Sequence, residues 1–278
     1  ANIESNLVKA QGAGVSASNA KDVRVMSNNI QSGSTGVRAD KTKNLWVYNN
    51  DINAVTNGVH VTNSAGSSYG SDDIDLWRNR ITGAGSAGIL VENSAYATIG
   101  VHQNNQFGAD GIGMGNVING VGEGIVVKDS KNAMVRYNTI DNTNGHGISV
   151  ADSASSNIWN NKVGTNGAVD SVNGDGINLR NADGSVVKSN QIANTKYNGP
   201  ARTGSGITVL NSDNVTIGGT AAADANSISA AGSDGIVIRA DGGTADNIKV
   251  IGNKVNGTAR TGLYAENVTN STIDGNKI

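Results

Sequence analysis

Hydrophobic residues along the chain fall in short runs that alternate with polar ones, two residues apart, and no stretch sustains a 3.6-residue period. One kind of run opens with a glycine before an aliphatic residue, as in Gly147-Ile-Ser-Val150. This pairing recurs at Gly14, Gly36, Gly58, Gly88, Gly124, Gly147, Gly176, Gly206, Gly235 and Gly262. A second kind is an aliphatic pair two apart, as in Val23/Val25, Leu45/Val47, Ile74/Leu76 and Ile248/Val250. The third is Asn-x-Ile or Asn-x-Val, from Asn6-x-Val8 and Asn28-x-Ile30 through Asn161-x-Val163 to Asn276-x-Ile278. The three kinds follow one another in fixed order, with loops of varying length between them. Alternation of this sort predicts strands with one face in and one face out. Strands so short cannot bury a face alone; stacked copies, each paired with a neighbour about 4.8 Å above and below, can.

Stacking brings like residues into vertical files. A file of asparagines at a bend satisfies its amides against neighbouring backbone and the next asparagine. A glycine where each Gly-Ile-x-Val strand begins permits a bend that a Cβ would obstruct. The predicted fold is all-β: a parallel β-helix solenoid of about ten coils, roughly 50 Å long, in one domain over residues 1–278. Right-handedness follows from the crossover preference of parallel strands. Val23-x-Val25-x-x-Asn28-x-Ile30 also fits a leucine-rich repeat, but leucine is rare and a Gly-Ile-x-Val strand stands where that repeat needs its helix. Neither end shows a polar capping helix. This predicts that the chain is a segment of a longer one, or that partners or self-association cover its ends.

Composition narrows the rest. Aromatics make up only 4% of the chain, which excludes an aromatic-centred core, and a formal charge of −2 gives no electrostatic footprint for nucleic acid. The absence of cysteine excludes disulfides, thiolate metal sites and a cysteine nucleophile. No apolar stretch approaches the length of a membrane span. Gly83-Ala-Gly85-Ser-Ala-Gly88 has the G-x-G-x-x-G spacing, but a strand follows it where a dinucleotide site needs a helix.

Candidate chemistry lies in unusual members of the outward files. One residue before each repeat glycine the sequence places Glu123, His146 and Asp175 on three successive coils. A histidine between two carboxylates suits proton transfer. Just after Gly-Ile-x-Val come Lys128, Arg180 and Arg239, candidate anchors for an anionic substrate. On the aliphatic-pair strands Tyr48, Trp77, Arg136 and Trp159 fall in one file, with Trp46 beside it. They predict a platform for sugar rings, a surface for a protein partner, or a cluster covered by a loop such as 100–115. No metal is firmly implied. Asp72-Asp73, and Asp170 with Asp175, could offer oxygens to Ca²⁺, but no loop has a calcium motif's spacing. His60 and His102 sit on separate coils with no matching partner in the pattern.

The repeat resembles that of the right-handed parallel β-helix proteins over essentially the whole chain. The segment Val215–Ile228 looks like the long turn common among them. The resemblance covers pectate and alginate lyases, mannuronan epimerases, polygalacturonases and phage tailspikes. It implies an extracellular or cell-surface protein, bacterial or from a virion, with polysaccharide as ligand. No catalytic motif of these families carries over: the Tyr-Gly-Phe-Asp-Pro-His stretch of the epimerases is absent, for example, since the only proline is Pro200. Two expectations stand. One is a β-helix that binds or processes an acidic polysaccharide as a lyase, epimerase or glycoside hydrolase, with Glu123, His146 and Asp175 as its acid–base set. The other is a non-catalytic rod of an adhesin, fibre or tailspike.

Overall fold

The computed structural model describes residues 1–64, 74–101, 114–165, 171–197 and 202–278. Among these the backbone winds through three parallel sheets of eleven, ten and ten strands. Each sheet collects one strand type. The pair sheet runs from Asn2–Glu4 through Lys21–Met26 and Lys43–Tyr48 to Thr272–Asp274. The asparagine sheet runs from Leu7–Ala10 to Lys254–Asn256, and the glycine sheet from Val15–Ser18 to Leu263–Glu266. All pairings are between equivalent strands of adjacent coils, so the predicted files exist: Ile125, Ile148, Ile177, Ile207 and Ile236 are direct partners in sequence. The sole helical element among the described residues is a 3-10 turn, Ala222–Asp224, inside the predicted long turn. This removes the leucine-rich repeat, and no helix is long and apolar enough to cross a membrane.

Alternation sends aliphatic side chains inward, where the core is a continuous column of Ile, Val and Leu with essentially no exposure. The repeat glycines are required by this column. A Cβ on Gly36 would collide with Ile52 Cγ2 and lie 2.6 Å from the carbonyl oxygen of Gly58, and the same two kinds of atom bar a side chain at Gly176 and Gly206. The glycine therefore serves close packing at the corner and not a left-handed backbone.

Two side-chain ladders hold the register. From Asn6 to Asn276, each asparagine gives its backbone N–H and its Nδ2 to the Oδ1 of the asparagine one coil on. The remaining amide hydrogen bonds to backbone carbonyls, as from Asn161 Nδ2 to Val135 at 2.8 Å. A second ladder, at the corner between the glycine and pair sheets, is made by hydroxyls. The N–H groups of Thr42, Ser64, Ser94 and Ser130 donate to Ser64, Ser94, Ser130 and Ser153 Oγ at 2.9–3.1 Å. Just before four of these hydroxyls stand Asn63, Asn93, Asp129 and Asp152 with φ near +50°, a conformation that Asn and Asp tolerate best after glycine.

Removing one central rung leaves a buried backbone N–H of the preceding coil unpaired. Asn161→Ala leaves the Asn138 N–H without its acceptor, while Asn138 Nδ2 keeps the Ile99 and Arg136 carbonyls, and the expected loss is about 2 kcal/mol. Asn6→Ala, at an exposed position, should cost under about 1 kcal/mol. Urea unfolding of the two variants checks this; equal losses would show that the ladder does not carry the register.

Candidate functional site

The glycine sheet offers three outward files. The first holds Asn57, Ala87 and Glu123 as direct partners. It continues through His146, Asp175 and Ser205, whose carbonyls accept the N–H of Gly124, Gly147 and Gly176 at 2.9–3.0 Å. Glu123, His146 and Asp175 thus stand on successive coils, but their side chains meet different surroundings. Asp175 is 2% exposed. Its Oδ1 accepts the Ser205 N–H at 2.9 Å and its Oδ2 accepts Asn178 Nδ2 at 2.8 Å. Asn57, Ser205 and Asp234 cap the N–H of Ala87, Asp234 and Thr261 in the same way. Asp175 is therefore a backbone cap sunk in the stack and not a group facing solvent.

His146 continues this capping chain, with its Nδ1 accepting the Asp175 N–H at 2.9 Å and lying 3.7 Å from Asp175 Oδ2. A backbone N–H only donates, so Nδ1 carries no proton and the neutral ring holds its hydrogen on Nε2. Glu123 is partly buried. Burial pushes its carboxyl above the ordinary glutamate value. Glu123 borders a shallow groove. Gly85, Gly122, Asn144 and Gly145 line it as well, together with Leu90, Val126 and Ser149 of the central file and Lys128 of the third.

Lys128, Arg180 and Arg239 share an outward file as expected, in register through Ala151 and Leu210. That file lies five residues along the strand from the Glu123 file, roughly 16 Å, so the structure does not bring these cations to the acid–base residues. Lys128 and Arg180 instead face the corner carboxylates of Asp129 at 3.7 Å and Asp152 at 3.4 Å. His60 does have a partner: its Nε2 is 2.8 Å from Glu92 Oε1. The pair is diagonal, two residues out of direct register, since His60 itself faces Leu90, so it does not show in a comparison of equivalent positions. His102, Asp72, Asp73 and Asp170 lie outside the described residues. Among the described residues no three His, Asp or Glu side chains gather as metal ligands.

On the pair sheet, Tyr48 and Trp77 are direct partners, as are Arg136 and Trp159, with Gly100 between the two pairs. Tyr48 and Trp77 stack at 4.4 Å, Trp77 meets Trp46 edge-on at 6.0 Å, and Arg24 covers Trp46 at 4.5 Å. Arg136 and Lys188 lie over the Trp159 ring at 5.6 and 5.3 Å. The rings stand on edge and their faces meet each other and cations. The expected flat platform is thus a self-stacked ladder, because neighbours one coil apart are at stacking distance. The larger part of loop 100–115, expected as a cover, lies outside the described residues.

A family model described as the right handed beta helix region matches residues 114–278, more than half of the chain. An alginate lyase from Paenibacillus sp. str. FPU-7 has a similar structure, with a TM-score of 0.55 at 15% identity, over 91% of this chain and 99% of that one. The Dettilon tailspike protein gives 0.56 at 12% identity, over 99% of this chain and 56% of that one. Tailspike protein 2 of the Escherichia coli O157:H7 bacteriophage CAB120 gives 0.52 at 12%, over 98% and 39%. At these identities the likeness is one of fold. No curated protein matches the sequence.

Two measurements check the site. A carboxyl with a raised value in the folded state holds its proton more tightly there than in the unfolded chain, so ionisation removes stability as pH rises through the raised value. Glu123→Gln should melt above the native protein at pH 7, and the gap should close below about pH 4; a gap independent of pH would refute the burial effect. Nitrogen-15 spectra of the neutral protein should show Nδ1 of His146 unprotonated, and an Nδ1–H tautomer would overturn the bond to Asp175.

Proposed function

The chain belongs to the right-handed β-helix family, and on that scaffold we propose that it binds or processes a polysaccharide in the groove over the glycine sheet. Glu123 accepts and returns the proton, His146 donates a hydrogen bond from Nε2–H, and Asp175 is a positioning residue that fixes the ring. The observation that carries this reading is a carboxyl pushed up by burial, next to an imidazole of fixed tautomer, at the edge of an open groove. Tuning a carboxyl toward neutrality is what general acid–base work requires. The alginate lyase and tailspikes of similar fold support a carbohydrate as ligand, and with it an extracellular or surface location.

The geometry favours one chemistry over another. Glycoside hydrolysis needs two carboxyl groups facing the scissile bond. Of this set only Glu123 lines the groove, so proton abstraction and return, as in lyase or epimerase chemistry, fit better. Lys128 lines the groove but lies too far along the strand to neutralise a carboxylate at Glu123. It would hold a more distant acidic group of a polymer. Arg180 and Arg239, in the same file on later coils, extend that reading.

The second reading, a non-catalytic rod, draws on the same file: Asn57, Asp175, Ser205 and Asp234 all cap backbone N–H groups, and the aromatic ladder is closed on itself. A panel of uronate-containing and neutral polysaccharides, assayed for binding, unsaturated product and epimerised product, separates the two. The expected outcome is turnover of an acidic polymer that Glu123→Gln lowers by about 100-fold or more. Absence of binding and turnover across the panel would leave the rod, and turnover indifferent to Glu123→Gln would remove Glu123 from the chemistry.

A further inference from the structure

On four successive coils the residue before the repeat glycine is flanked by a second glycine: Gly122-Glu123-Gly124, Gly145-His146-Gly147, Gly174-Asp175-Gly176 and Gly204-Ser205-Gly206. On other coils that outer position holds Ser34, Thr56, Ser86, Ser233 or Arg260. Gly12, on the first coil, has open space around it. The outer glycine accompanies Glu123, His146 and Asp175, but also Ser205, where Gly204 has φ +85°, and it gives way to Ser233 before Asp234.

Gly145 shows what the missing side chain makes room for. A Cβ built there would have as its three nearest atoms Glu123 Cγ at 2.9 Å, Oε1 at 3.3 Å and Cδ at 3.4 Å. No backbone atom is among them, and Gly145 has no positive φ that would call for glycine. Its backbone is pinned on both sides, with the N–H donating to the Gly122 carbonyl at 2.7 Å and its carbonyl accepting the Thr143 hydroxyl at 2.9 Å. The side chain of Glu123 reaches over this fixed peptide toward the coil that carries His146.

We propose that Gly145 is a positioning residue whose lack of a side chain provides the berth in which the Glu123 carboxyl lies along the groove beside His146. The meaning of that placement rests on the proposed function, but the geometry does not. Gly174 has the equivalent relation to His146, with a Cβ there falling 2.9 Å from Nδ1. That Cβ would also lie 2.8 Å from the Gly145 carbonyl carbon and 2.9 Å from the His146 nitrogen. A substitution at Gly174 therefore disturbs backbone as well, and Gly145 gives the cleaner test.

The experiment combines carbon-13 titration of the Glu123 carboxyl with melting of Gly145→Ala in the native and Glu123→Ala backgrounds. The added methyl should move the Glu123 titration midpoint down toward the ordinary carboxylate value. It should lower the melting temperature of the native protein and leave that of Glu123→Ala unchanged. An unmoved titration, or the same loss of melting temperature in both backgrounds, would overturn the inference, the second outcome meaning that the glycine serves the backbone. If the titration moves as expected and no polysaccharide is bound or turned over, the positioning role stands and the functional reading falls. If turnover depends on Glu123 but not on Gly145→Ala, the reverse holds.

Discussion

The structure depends on vertical registration of equivalent residues from one coil to the next. No strand of two to six residues in this chain could bury a face by itself, and each is stable only through the strand above and the strand below. The asparagine ladder turns that requirement into a fixed spacing. Each Oδ1 receives two donors from the preceding coil, so a slip of one residue would leave those donors unpaired in a buried corner. The inward isoleucines then meet isoleucines, and the glycine corner closes against them.

Registration is also what makes outward chemistry possible. Glu123, His146 and Asp175 are more than twenty residues apart in sequence, yet they stand one coil apart because the backbone beneath them repeats. The same rule distributes roles within the file. Members such as Asp175 and Asp234 turn to the backbone N–H of the next coil and become part of the frame. Asp234 adds a bond to Arg202 that, against the opposing effect of burial, holds its carboxyl below the usual range. Among the described residues Glu123 makes no such bond, and it borders open space instead.

The files themselves were legible in the sequence, because Asn-x-Ile and Gly-Ile recur without interruption and a period of this kind maps directly onto coils. The serine ladder leaves a weaker trace, the recurring Val-x-Asn/Asp-Ser at Ser64, Ser94, Ser130 and Ser153. Side-chain direction was not legible. Nothing in the order of residues says that Asp175 turns inward to Ser205 and Asn178, or that the rings of Tyr48 and Trp77 face one another. Those choices are made by hydrogen-bond and stacking partners one coil away. Lateral distance was lost for a related reason: a file assignment fixes height along the rod but not the separation between Lys128 and Glu123 across the sheet. The diagonal contact of His60 with Glu92 fell between direct registers.

The asparagine ladder has a direction. Every rung donates toward higher residue numbers and none donates back, so the amide dipoles add head to tail and polarise one another along the axis. Peeling a coil from the low-numbered side uncovers bare oxygen acceptors. Peeling one from the high-numbered side uncovers bare nitrogen donors. Unzipping the rod mechanically from its two ends is therefore not the same process, and the two frayed surfaces would attract water, ions and strangers of opposite character.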